Sequence, residues 1–182
     1  MPLPLITERL LIRPLTLDEL DDYAAIVADP KVQTWLNEGR PRDRNYASDY
    51  LINLINIQKD NGFSRYGVFD KSTKTLLGHC GFEDLEGRID IGWTLAQNVW
   101  GKGIGTEAAA EVLRFGFEAL GFDRITARAF RENVASIAIM KRIGMSFDKT
   151  IPWEWGEEDY PMSSKLTLDQ YEITRTADIS DC

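Results

Sequence analysis

Histidine and cysteine are scarce in this 182-residue chain, which holds one histidine, His79, and two cysteines, Cys80 and Cys182. With no Cys-x-x-Cys pair and a single imidazole, the ligands of a zinc site and the thiols of a disulfide framework are both missing, so no metal is expected. A basic surplus is missing too. Lysine and arginine number 21 against 29 aspartates and glutamates, a net charge of −8, and a polyanion would meet a repulsive field, which argues against nucleic acid as a partner. No run approaches the ~18 apolar residues of a bilayer span, and Met1-Pro2-Leu3-Pro4 places no basic segment before an apolar one. Neither membrane insertion nor secretion is expected, and a cytoplasmic setting is the default. Repeats, low-complexity tracts and interdomain linkers are absent as well. At ~150 residues per domain the chain suits one domain over 1–182, with a core at about 5–168 and an acidic C-terminal extension at 169–182.

What is present is ordinary globular material, 43% hydrophobic and 27% charged, enough to build a core. Residues 5–13 alternate like a strand and stop at Pro14. Thr16 and Glu19 match a capping box, after which Leu20, Tyr23, Ala24 and Val27 recur at helical spacing until Asp29-Pro30. Residues 32–44 read as a short irregular helix and a loop, and Tyr46 to Gln58 resume the 3.6 period. From Tyr66 the period changes to that of strands, at 66–70, 75–82 and 89–95, a meander. A glycine-rich turn at 101–105 then opens a helix over 106–120 closed by Gly121, and 125–130 alternates again, so a parallel βαβ step is expected. A last helix spans 133–143, with closing strands at 145–150 and 162–168. The order β-α-α-β-β-β-α-β-α-β-β predicts an α/β (α+β) fold, a mixed and mostly antiparallel sheet with helices on both faces.

The segment Trp100-Gly101-Lys102-Gly103-Ile104-Gly105-Thr106 carries the clearest chemistry. Alternating glycines between a strand and a helix let backbone N–H groups face an oxyanion, with the helix dipole behind them. Thr106 stands where a Rossmann turn needs Gly or Ala, and a Walker loop's Gly-Lys-Ser/Thr is absent. A plain connecting turn and a generic nucleotide-binding module stay open on these residues alone.

Three stretches together carry a resemblance. Trp100 to Ala108 resembles the acetyl-CoA pyrophosphate loop of the GNAT N-acetyltransferase superfamily, with Trp100 departing from the usual Gln/Arg. Thr7 to Pro14 and Asn133 to Met145 are similar to the opening and to the Asn-x-x-Ser helix of its RimJ/RimL-like branch. The resemblance implies a GNAT-like fold and transfer of an acetyl group from acetyl-CoA to a primary amine, with coenzyme A as product. It implies that Lys102, Gly103, Ile104, Gly105 and Thr106 grip the diphosphate, that Trp93, Thr94 and Leu95 hold the pantetheine arm, and that Asn133 and Ser136 meet the cofactor.

Arg131, Lys141 and Arg142 suit either a 3′-phosphate or the solvent, and Asn133 also suits a helix N-cap. The superfamily's acid, a tyrosine on the last helix, has no counterpart at 134–143, which leaves Ser136 as the candidate acid and Tyr160 as its reserve. Asp90 is the candidate base, with Glu83, Asp84 and Glu86 competing. His79 and Cys80 adjoin on a strand and so point to opposite faces, which disfavours a cysteine nucleophile and makes His79 a packing residue. Trp35, Leu36, Trp153 and Trp155 are expected along the acceptor groove, and Glu154, Glu157, Glu158 and Asp159 favour a cationic acceptor. The favoured acceptor is a protein N-terminal α-amine. The alternatives are a small-molecule amine (polyamine, amino acid or antibiotic) and a non-enzymatic acyl-CoA sensor, in a monomer or homodimer.

Overall fold

The computed structural model describes residues 3–36, 39–151 and 167–175. Eight strands form one sheet: β1 (Leu5–Ile6), β2 (Leu10–Arg13), β3 (Arg65–Asp70), β4 (Leu76–Leu85), β5 (Arg88–Leu95), β6 (Arg124–Phe130), β7 (Ser146–Ile151) and β8 (Leu168–Thr174). Their spatial order is β1-β2-β3-β4-β5-β6-β8-β7, and among the described residues only β5 and β6 run parallel. The described helices are α1 (Leu20–Val27), α2 (Pro30–Gln33), α3 (Arg44–Asn61), α4 (Ile104–Glu118) and α5 (Val134–Arg142).

Alternation along the strands sorts the apolar side chains into two cores. Leu10, Ile12, Tyr66, Val68, Cys80, Phe82 and Ile91 pack with Ala108, Ala109, Val112 and Phe115 of α4 and Met140 of α5. Leu15, Phe69 and Leu76 pack with Tyr23 and Val27 of α1 and Leu51 and Leu54 of α3. Helices therefore cover both faces, as the sequence pattern predicts. Gly116 lets α4 settle onto the sheet, since a Cβ there would lie 2.5 Å from the Phe82 ring.

Local chemistry sets the helix ends. The Thr16 and Glu19 capping box forms. The Asp43 side chain accepts from the Tyr46 N–H at the start of α3, and Gly62 closes that helix in the left-handed region.

Two expectations need correction. The expected strand 5–13 is broken into β1 and β2, which pair with each other antiparallel, Leu5 opposite Ile12, because residues 7–9 are pulled aside to bond α4. Residues 169–174 are not an extension. They belong to β8, which lies between β6 and β7, with Asp169, Gln170 and Tyr171 buried. Arg131 binds the Asp169 carboxylate through two nitrogens at 2.8 Å and the Thr150 hydroxyl adds a third contact, so an acidic residue is paired inside the sheet. Most of the expected closing strand 162–168 lies outside the described residues.

Candidate active site

Where β5 and β6 run side by side, a backbone pairing joins Asp90 to Thr126, and further along β5 the strand borders a cavity of about 1080 Å³. The cavity is lined by Trp93, Thr94 and Leu95 of β5, by Gly101 and Gly103 to Glu107, by Asn133 to Ser136 and Arg142 around α5, and by Lys31, Val32, Thr34, Trp35 and Leu36 around α2. Residues from both sides of the sheet thus line one cavity.

The α4 end is built to receive an anion. Gly103 occupies the N-cap with φ +79°, a left-handed conformation that suits glycine, and no side chain among the described residues caps the helix. The first-turn N–H groups, which have no intrahelical carbonyl to bind, therefore remain for a ligand, with the positive end of the helix dipole behind them. A Cβ on Gly105 would lie 2.7 Å from Ile139 of α5 and 3.2 Å from Leu95, so this glycine also brings α4, α5 and β5 together. Trp100 donates its indole N–H to the Leu95 carbonyl at 2.9 Å, tying the glycine turn to the end of β5.

Sequence reasoning missed a clamp behind this loop. Glu107, in the first turn of α4, accepts the Thr7 hydroxyl at 2.5 Å, the Arg9 backbone N–H at 3.0 Å and the Arg9 side chain at 2.6 Å. Arg9 also donates to the Lys102 carbonyl at 2.8 Å. These bonds and the nearby cation hold the Glu107 carboxyl below its usual pKa despite partial burial. The signal was in the sequence: Thr7 and Arg9 belong to one resembling stretch and Glu107 to another.

Of the expected cofactor residues, Trp93, Thr94, Leu95, Gly103, Ile104, Gly105, Thr106, Asn133 and Ser136 all line the cavity, whereas Lys102 does not. Asn133 caps α5, its side-chain oxygen accepting from the Ser136 N–H at 3.2 Å. Arg142 lines the cavity, while Arg131 is held by Asp169. Among the substrate candidates, Trp35 lines it, its ring 6.3 Å from that of Phe130. Trp153, Trp155, Tyr160 and the acidic group from Glu154 to Asp159 lie outside the described residues.

The structure does not bring Asp90 to Ser136. Asp90 is buried behind the cavity, accepting from the Thr126 hydroxyl at 2.7 Å, with Arg128 at 3.5 Å, and burial pushes its carboxyl above the usual range. A rise of ~3.3 Å per residue puts its backbone about 10 Å from Trp93. It joins β5 to β6 where they pair. His79 packs between Tyr23 and Tyr50, both 5.7 Å away, and is kept neutral by burial and by Arg65. Burial pushes the Cys80 thiol up to about 12, so no thiolate is available.

Comparison with known proteins adds to this geometry. A family model described as an acetyltransferase (GNAT) domain matches residues 9–146. The chain is 31% identical over 170 residues to p20 of Bacillus licheniformis, described as an uncharacterized N-acetyltransferase, covering 92% of each chain. A GNAT-family acetyltransferase structure from Bacillus anthracis aligns with TM-score 0.77 at 23% identity, covering 92% of this chain and 95% of that one. RimL, a ribosomal L7/L12 α-N-protein acetyltransferase solved with coenzyme A, aligns with TM-score 0.79 at 17% identity, covering 96% and 99%. A glycine turn feeding an uncapped helix beside the end of β5, within a chain matched by this model over residues 9–146, leads to one conclusion: the protein belongs to the GNAT acetyltransferases.

Proposed function

We propose that the protein uses acetyl-CoA to acetylate a primary amine by direct transfer, and that the amine is the α-amine of a protein N-terminus. The uncapped first turn of α4 at the cavity wall is the observation that carries this reading. The N–H groups of Gly103 to Thr106 bind the diphosphate, and no side chain has to be displaced from them. Trp93, Thr94 and Leu95 present the free end of β5 to the pantetheine arm in the manner of strand addition. Arg142, on the cavity wall, supplies a cation for the remaining phosphate.

Bound acetyl-CoA supplies an activated acyl group and a sulfur leaving group. As the amine nitrogen bonds to the acetyl carbon and the carbon–sulfur bond breaks, Ser136, held one turn into α5 by the Asn133 cap, passes its hydroxyl proton to the sulfur and takes back the proton that the nitrogen sheds. An N-terminal α-amine has a pKa of ~8 and is partly neutral near that pH, so it needs no strong base at the cavity. The RimL likeness favours this acceptor, and a small-molecule amine is the alternative.

The reading is tested with acetyl-CoA and a panel of peptides, polyamines and amino acids, following free thiol. Turnover on at least one amine is expected, and coenzyme A binding without turnover on any would refute it. Gly103→Glu places a carboxylate against the diphosphate and is expected to abolish coenzyme A binding by calorimetry. Unchanged affinity would remove α4 from the cofactor site.

A further inference from the structure

The sheet face that carries Thr94 holds a row of residues that the acetyl-CoA site does not use. Arg65 of β3 stands opposite Gly81 of β4, which stands opposite Gly92 of β5. Asp90 pairs with Thr126 in the parallel step, so two residues on, Arg128 of β6 comes level with Gly92. The row reads Arg, Gly, Gly, Arg across four strands.

Both glycines matter. A Cβ on Gly81 would fall 2.3 Å from the Ser64 carbonyl and 2.5 Å from the Arg65 Cα, so β3 closes onto β4 only over a glycine. A Cβ on Gly92 would fall 3.0–3.2 Å from the Arg65 guanidinium. The guanidinium has therefore crossed β4 and lies over β5, two residues from the cavity wall at Thr94. Its side chain keeps 21% exposure and that of Arg128 keeps 30%, so neither is sealed.

Each charge has a carboxylate beside it, and the Arg65 cation is also favoured by Tyr50 and Asp90. Arg65 donates through Nη2 to Glu83 at 2.9 Å, and Glu83 is itself 44% exposed. The buried Nε of Arg128 faces the Asp90 carboxylate at 3.5 Å, an ion pair with no hydrogen bond among the described residues. Burial raises the Asp90 carboxyl, while Arg128, the Thr126 hydroxyl, Arg65 and Arg88 act in the opposite direction. His79 on the same face is neutral. Farther out, Arg124 is satisfied by Glu172 and Asp148, while Arg88 donates to the Gln170 amide oxygen and also acts on Asp90.

We propose that Arg65 and Arg128 form an anion-holding subsite for the acceptor, whose amine therefore carries a carboxylate a few bonds away. This rests on the acetyl-transfer reading. Two strand residues span ~7 Å, so an anion at Gly92 leaves an amine on a short skeleton within reach of the cavity beside Thr94. A free amino acid and a peptide with an acidic residue next to its N-terminus share this chemistry, whereas a polyamine lacks it. The subsite is local and coexists with the net charge of −8.

The test compares matched acceptors. β-Alanine and γ-aminobutyrate are set against their amides, an Ala-Glu peptide against Ala-Gln, and spermidine serves as the polyamine. The acids are expected to exceed their partners at least tenfold in kcat/KM, mainly through KM, and whichever pair shows the larger ratio identifies free acid or peptide. Arg65→Gln and Arg128→Gln should each bring the ratio near one with coenzyme A affinity unchanged, and Arg65→Lys should keep part of it. Amides or spermidine turned over as well as the acids, or a ratio that survives in both Gln variants, would overturn the subsite. If coenzyme A binds but no amine reacts, the transfer reading fails and the subsite is read by titrating β-alanine and γ-aminobutyrate into the coenzyme A complex. Heat lost in a Gln variant that melts like wild type then sustains the subsite. No heat in the wild type overturns it.

Discussion

The sequence offers Ser136 as acid and Asp90 as base, and the fold sets only Ser136 on the cavity wall. Ser136 stands at the cavity wall on the first turn of α5, while Asp90 braces β5 against β6. If Ser136 protonates the leaving sulfur, Ser136→Ala should lower kcat by ~100-fold, the low end for general acid catalysis, with little change in the Kd for coenzyme A. Equal losses in both would reduce Ser136 to a binding residue. Cys80 shows the opposite case, a reactive group made inert. Its thiol, buried and pushed up to about 12, should resist alkylation in the native protein between pH 7 and 9 and react only on unfolding, as peptide mass mapping would show. Labelling at native rates would mean that β4 opens locally. Alternation alone allowed the sequence to set His79 and Cys80 on opposite faces. Nothing local in the sequence showed that Asp90 bonds Thr126, because that contact depends on the register of two strands joined through α4.

Among the elements, α4 depends on a distant one. Glu107 draws the β1–β2 turn onto the glycine loop, with Arg9 bridging to the Lys102 carbonyl. The Glu107 side chain is 19% exposed, so Glu107→Gln should cost about 1.5–3 kcal/mol, the range for hydrogen bonds to a charged group, and should also weaken coenzyme A binding. The sign with pH follows from the lowered carboxyl. Its stabilisation is complete above the ordinary glutamate range and is lost as pH falls through the lowered folded value, so wild type and Glu107→Gln should converge in acid melts. A constant gap would assign the loss to packing. The helices and central strands were legible because each carries its own period and caps. The break between β1 and β2 was not, since residues 7–9 alternate acceptably as a strand and are diverted only by a partner 98 to 100 positions away. β8 was missed for a related reason: its acidic start reads as solvent-facing until Arg131 is placed beside Asp169.

At the scale of the molecule, the cavity takes residues from both sides of the sheet, so a ligand seated there ties α2, β5, α4 and α5 together. Coenzyme A at 100 times its Kd should stabilise the native state by about 2.7 kcal/mol, which for a domain of this size raises Tm by roughly 5–11 °C. A Tm indifferent to coenzyme A would mean that the cavity is not its site. The net charge of −8 opposes the approach of this polyanion, so modest added salt should speed its association in stopped-flow measurements. Slower association would show that the local cations of the site outweigh the whole-chain field.

The strand order carries one more consequence. β7 reaches the sheet only through β8, although β8 follows it in the chain. During translation β7 must therefore wait, while the bare margin of β6 offers unpaired backbone to any neighbouring nascent chain. A ribosome that pauses between these two strands would hold the protein at its most aggregation-prone moment.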